Sequence, residues 1–254
     1  MSPEKIRLYS YAMSPYAAKV HCFLLYKQLD FECFYVNPLR VPRDLPVGHL
    51  VPVLTIGEES RNDSTPIGLW LDERYPETPR LLPAQGEERD RLVALDDWVT
   101  DHLIPGSFRS YPGEGLGRFL NGWQLSRVMA STADGGLPWV LRAAWPLIIK
   151  RVKFVQRMIA QADNGLPVYE AKLKLYQEFL AHLAGGPFLA GRDTPSLPDL
   201  AAYPQFSLYY TVGMQGGDDI LGYPDLMAWL ERMRPFVAGE PQLLPPHVWK
   251  RGIP

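Results

Sequence analysis

The chain has 254 residues, a formal net charge of −2, and is 46% hydrophobic and 21% charged, enough apolar material for one large domain or two ordinary ones; disorder is excluded as the main state. Its 25 prolines and 21 glycines make up about 18% of the sequence, below the roughly 25–30% of low-complexity chains, so they punctuate a fold. Scattered lysines and arginines in a near-neutral chain form no dense basic field and argue against a nucleic-acid partner.

Two cysteines, Cys22 and Cys33, are too few for a disulfide framework and lack redox or metal-knuckle spacing, which fits a reducing, cytoplasmic setting. The opening MSPEKIRLYS has charges where an export signal needs an apolar run. The longest apolar run, Trp139 to Ile149, contains Arg142 and Pro146 and falls short of the roughly 20 residues that cross a bilayer. It reads as core or pocket wall, and no membrane partner is expected.

In chain order, Ile6 to Ser10 alternate as a strand, and Pro15 opens a helix carrying Val20, Phe23, Leu24 and Leu25. Phe31 to Val36 has the β-branched and aromatic content of a buried strand. After it, Asn37, Pro38, Pro42 and Pro46 leave room for at most a short, irregular helix. Val51 to Ile56 is a third strand, and a brief fourth ends before Asp63-Ser-Thr-Pro66, where Ser64 or Thr65 can cap a helix that Pro66 starts and Pro76 stops.

The composition then changes. Pro76, Pro79 and Pro83 predict a stiff linker over 77–84 between a domain at 1–76 and one at 85–254. Helical spacing follows at Glu87 to Leu103, Val140 to Ala162, Val168 to Leu183, Leu197 to Tyr210 and Asp225 to Val237. Residues 105–138 are glycine-broken and hard to read. Gly113, Gly115 and Gly117 follow no strand and lack the third glycine position of a dinucleotide fingerprint.

Several motifs in order, namely Ser14-Pro15-Tyr16, Val51-Pro52-Val53-Leu54, Asp63-Ser64, Ser196-Leu-Pro-Asp199 and Tyr223 to Arg232, resemble the glutathione transferase superfamily over roughly residues 5–100 and 166–237. The resemblance implies an α+β thioredoxin-like N-terminal domain (βαβαββα, mixed four-stranded sheet) followed by an all-α domain. It also implies glutathione as co-substrate, a small apolar second substrate in the cleft between the domains, and a homodimer.

On that resemblance Ser14 is the expected catalytic hydroxyl, holding the glutathione sulfur as thiolate at a helix N-terminus. Tyr9, Ser10 and Tyr11 are rival hydroxyls, and Ser14 read alone is also a helix cap. Pro52 is expected in cis, freeing the backbone of Val51 to pair with the cysteinyl part of glutathione as a short added strand; read alone it fits a trans proline starting an edge strand. Asp63 and Ser64 suit the γ-glutamyl ammonium and carboxylate.

The glycyl carboxylate needs a cation, and Arg40, Arg43 and His49 in the loop before the third strand are the candidates; Leu50 stands where relatives often carry lysine or glutamine, and none of the three matches that pattern. Phe108, Tyr111 and Trp123 are expected to line the second pocket. Ser196 and Asp199 read as a capping box. His21, His49, His102, His182 and His247 show no metal spacing, and no metal is expected. The resulting reading is a transferase in which the thiolate attacks an apolar electrophile. A glutathione-dependent disulfide or peroxide reductase and a non-catalytic binding protein are the alternatives.

Overall fold

The computed structural model describes residues 4–41, 43–237 and 243–252. Ile6, Leu8 and Ser10 are buried alternately along β1 (Ile6–Ser10), one of the two inner strands of a four-stranded sheet. It pairs in parallel with β2 (Glu32–Tyr35) and antiparallel with β3 (Val53–Ile56), which pairs antiparallel with β4 (Glu59–Asn62). The helix α1 (Pro15–Tyr26) makes the crossover between the parallel strands, and α2 (Ser64–Arg74) follows β4.

No helix forms between β2 and β3 among the described residues, so the βαβαββα order loses its second helix. The Asn37 Oδ1 accepts the Leu39 N–H at 3.0 Å, starting a turn that prolines prevent from winding on. Pro42 lies outside the described residues.

The remainder is helical. α3 (Glu87–Trp98) runs through one wide turn at Val99–Leu103 into α4 (Ile104–Ser110). The end of α4 and the helix α5 (Gly117–Thr132) fill most of the glycine-broken stretch 105–138, and α6 (Trp139–Ile148) follows it. The expected single helix at 140–162 is broken at Ile149–Val152, where the chain tightens and then extends before α7 (Lys153–Gln161). α8 (Val168–His182), α9 (Leu197–Thr211) and α10 (Pro224–Val237) complete the layer.

α9 is buried along nearly its whole length and packs on α1, joining the helices to the sheet. Its start is fixed by Asp199, whose carboxylate accepts from Ser196 N and Oγ, Leu189 N and Trp229 Nε1 at 2.9–3.1 Å. The proline-rich passage after α2 is held similarly: Asp72 accepts from Leu81 N and Leu82 N, and buried Lys27 donates to Asp72 at 2.8 Å and to the Pro79 carbonyl at 3.2 Å. Uncompensated, either carboxylate would be costly to bury.

Candidate glutathione site

The strand register brings the separated motifs to one end of the sheet. Tyr9 lies opposite Val53 and Val53 opposite Asn62, so the segment after β1, the one before β3 and the one after β4 converge. The Val51–Pro52 bond is cis.

Positive φ at Met13 (71°) turns the chain into α1. Ser14 is its N-cap, with Oγ accepting the Ala17 N–H at 3.3 Å. Capping uses only the acceptor side of that hydroxyl, so its O–H remains able to donate to an anion at the positive end of the helix. Tyr16 closes the neighbouring wall. Its hydroxyl lies 3.4 Å from the Thr100 carbonyl and 3.6 Å from Met158 Sδ, and burial pushes its pKa up to about 12.

The rival hydroxyls are placed differently. Tyr9 lies on the sheet face opposite Leu8 and Ser10 and meets the Phe34 ring edge-on. Ser10 is buried and donates to the Tyr11 carbonyl at 3.0 Å. Burial, with a smaller contribution from Asp44, pushes the Tyr11 phenol up to about 12.

At the third strand end Asp63, not Ser64 or Thr65, is the N-cap of α2. It stands at φ 72°, ψ 135° without a side-chain cap bond, a conformation that costs a non-glycine residue about 1–3 kcal/mol. Ser64 is the first helical residue. It is 1% exposed, and its Oγ has no hydrogen-bond partner among the described residues. A buried hydroxyl left unpaired at a helix N-terminus suits an absent anionic group. Thr65 instead donates to Asp96 Oδ2 at 2.8 Å and accepts from Lys19 at 2.8 Å.

That network joins residues up to 81 positions apart, so no local pattern in the sequence marks it. Lys19 Nζ is fully buried and reaches Asp96 Oδ2 at 2.7 Å and Thr100 Oγ1 at 3.2 Å, tying α1, α2 and α3 together beneath the site. A lone lysine inside the apolar face of the first helix was the only available signal.

The candidate cations separate. Arg40 is engaged by Asp44 at 3.1 Å and by Asp134. Arg43 and His49 are exposed. The bend carrying His49 lies against the end of β4, where a Cβ on Gly48 would stand 3.0 Å from Asn62 Nδ2. Phe108 and Tyr111 are buried with their rings 4.4 Å apart, whereas Trp123 is exposed on α5 beneath Arg142. A groove of about 520 Å³ lined by Trp98, His102, Arg109, Lys174, Glu178 and His182 contains none of the expected site residues. Cys22 and Cys33 are free thiols; burial raises the pKa of both, that of Cys33 to about 12.

The turn after α5 folds back over the sheet. Asn37 Nδ2 donates to the carbonyls of Asp134 and Gly136 at 2.8 Å, and Asp134 N donates to the Tyr35 carbonyl at 2.9 Å. With Met158 against Tyr16, residues from two parts of the chain between α4 and α8 flank the converging strand ends.

Residues 8–79 match the glutathione S-transferase N-terminal domain family, and residues 144–235 match the C-terminal domain family. A zeta-class glutathione S-transferase of Euphorbia esula is 41% identical over 178 residues, covering 67% of this chain and 73% of that protein. Prostaglandin E synthase 2 of Danio rerio is 24% identical over 91% of this chain and 70% of its own length. The solved maleylacetoacetate isomerase of Anaeromyxobacter dehalogenans, which holds dicarboxyethyl glutathione and citrate, superposes with a TM-score of 0.54 at 26% identity, over 93% of this chain and 90% of that one. Family models over both parts of the chain, together with the Euphorbia relative, establish that the chain belongs to the glutathione S-transferase superfamily.

Proposed function

We propose that the protein is a glutathione-dependent enzyme that holds the glutathione sulfur as a thiolate beside Ser14 and directs it at an electrophilic carbon of an apolar co-substrate. The observation that carries this reading is the unpaired buried Ser64 hydroxyl at the start of α2, on the sheet end it shares with Ser14 and Val51–Pro52. Ser64 and the α2 N–H groups receive the γ-glutamyl carboxylate, and Asp63 accepts from its ammonium. Val51 pairs with the cysteinyl backbone, and His49 approaches the glycyl end. Ser14 donates to the sulfur while the start of α1 favours its negative charge. Pre-positioning and thiolate stabilisation supply the rate gain.

Transfer of glutathione to the electrophile is the first reading. A second, isomerisation, is favoured by the zeta-class and maleylacetoacetate isomerase likenesses. Both chemistries can begin with sulfur attack on carbon, and they divide on whether the sulfur later leaves. The setting proposed is the cytoplasm and the working unit a homodimer.

The test is the ultraviolet thiolate absorbance of bound glutathione in wild type and in Ser14→Ala, followed by product analysis with activated alkenes and alkyl halides. A thiolate signal that disappears in the variant is expected. No signal in wild type overturns the mechanism, and an unchanged signal in the variant moves the role away from Ser14.

A further inference from the structure

The hairpin of α5 and α6 buries Leu125 and Val128 in the core but leaves a second apolar stripe uncovered. α5 buries its polar residues Asn121, Gln124 and Ser126, and the stripe it shares with the residue just before it, Leu116, Phe119, Leu120 and Trp123, is exposed at i, i+3, i+4 and i+7. α6 repeats the pattern with Trp139, Val140, Ala143 and Leu147 turned outward, and its one charged residue is Arg142. Seven of the twelve exposed large hydrophobics among the described residues stand on this hairpin, with Leu116 86% and Trp139 76% exposed. Scattered exposed apolar residues need no explanation; a concentration of this kind marks a docking surface.

The same segment carries the charge that chooses the partner. Residues 115–162 contain seven lysines and arginines against a single acid, Asp134, in a chain of net charge −2. A basic field is therefore present after all, in this segment. Asp134 is already held by Arg40. Arg118, Lys150, Arg151, Lys153 and Arg157 are exposed, and none forms an ion pair among the described residues. The cations also border the apolar stripe: Arg118 lies over the Phe119 ring at 4.7 Å and Arg142 over Trp123 at 5.9 Å.

We propose that the outer face of the α5–α6 hairpin docks on the surface of an anionic phospholipid bilayer. Tryptophan, phenylalanine and leucine enter the headgroup–acyl boundary while the arginines and lysines reach the lipid phosphates, the arrangement of an interfacial amphipathic helix. α6 has ten residues, and no described helix is long and apolar enough to cross a membrane, so the contact is peripheral. A second copy of the chain is disfavoured as occupant, because a two-fold contact through this face would set two like-charged patches against each other.

The experiment uses the full chain with vesicles of phosphatidylcholine alone and of phosphatidylcholine mixed with phosphatidylglycerol. It follows co-sedimentation and the blue shift of tryptophan emission. Binding to the anionic vesicles that weakens with added salt is expected. Leu120→Glu/Leu147→Glu and, separately, Lys150→Glu/Arg151→Glu should each lower partitioning by at least about tenfold. Unchanged far-ultraviolet circular dichroism and melting temperature show that the variants remain folded. Absence of binding to either vesicle overturns the proposal, as does binding that neither double variant weakens. A wild-type dimer that Leu120→Glu/Leu147→Glu converts to monomer, without vesicle binding, assigns the face to a second copy and likewise overturns it.

Discussion

Lys19 and Asp96 meet 2.7 Å apart with both side chains closed off from solvent, and Thr65 bonds to each of them. The pair links the helix that Ser14 starts to the helix that Ser64 starts, and both to α3. Burying two charges is expensive, and removing one partner leaves the other uncompensated. Asp96→Ala is therefore expected to cost about 3–5 kcal/mol of unfolding free energy. Lys19→Met/Asp96→Leu should recover most of it. Urea titrations of the single and double variants check this, and additive losses would rule out the coupling.

Ser64 separates binding from stability more cleanly. Its hydroxyl is buried without a hydrogen-bond partner among the described residues, so Ser64→Ala removes an unsatisfied polar atom and should leave the melting temperature unchanged or slightly raised. If the hydroxyl receives the γ-glutamyl carboxylate, the same change removes a charge-assisted bond worth about 1.5–3 kcal/mol, or roughly 10- to 150-fold in glutathione affinity. Calorimetric titration reads the affinity directly. A destabilised variant with normal affinity would mean that Ser64 is a structural residue.

The physics behind these two predictions was unevenly visible in the sequence. Alternation at Ile6–Ser10, Pro15 at the first helix and the Asp63-Ser64 turn are local signals, and the elements they start lie where local rules put them. The cap of α2 is Asp63, and Thr65, one of the expected caps, instead bonds to Asp96, 31 residues away, which no local rule contains. Lys19 stays inside an apolar helix for the same reason. The stretch 105–138 misled because glycine is usually read as a breaker. Gly117 and Gly122 instead sit inside α5, where the absence of a side chain allows a neighbour to approach closely.

At Gly122 the approach is measurable. A Cβ there would stand 2.4 Å from Pro146 Cα, a backbone atom of α6 that cannot rotate away. Gly122→Ala gains up to about 1 kcal/mol in helix propensity but forces two helices apart, at an overpacking cost of about 1–3 kcal/mol. Faster hydrogen exchange confined to α5 and α6 is expected, with a lowered melting temperature. Gly106→Ala is the control, since its new Cβ would meet Leu175 Cδ1, the far end of a flexible side chain. Equal damage from both substitutions would remove the backbone-contact explanation.

His182 is expected to make the stability depend on pH. Its ring meets the edge of Trp98 at 4.6 Å, and burial lowers its pKa below the usual value, with Glu178 opposing in part. In the window between that lowered pKa and the unfolded value of about 6.5, the unfolded chain binds more protons than the native one. Stability from this group is therefore fully present above about pH 6.5 and is lost as the pH falls through the folded pKa. His182→Gln keeps a polar side chain there but cannot titrate in this range. Urea midpoints measured from pH 8 to pH 5 should fall more steeply for wild type than for His182→Gln, and parallel curves would show that protonation of His182 does not oppose the fold.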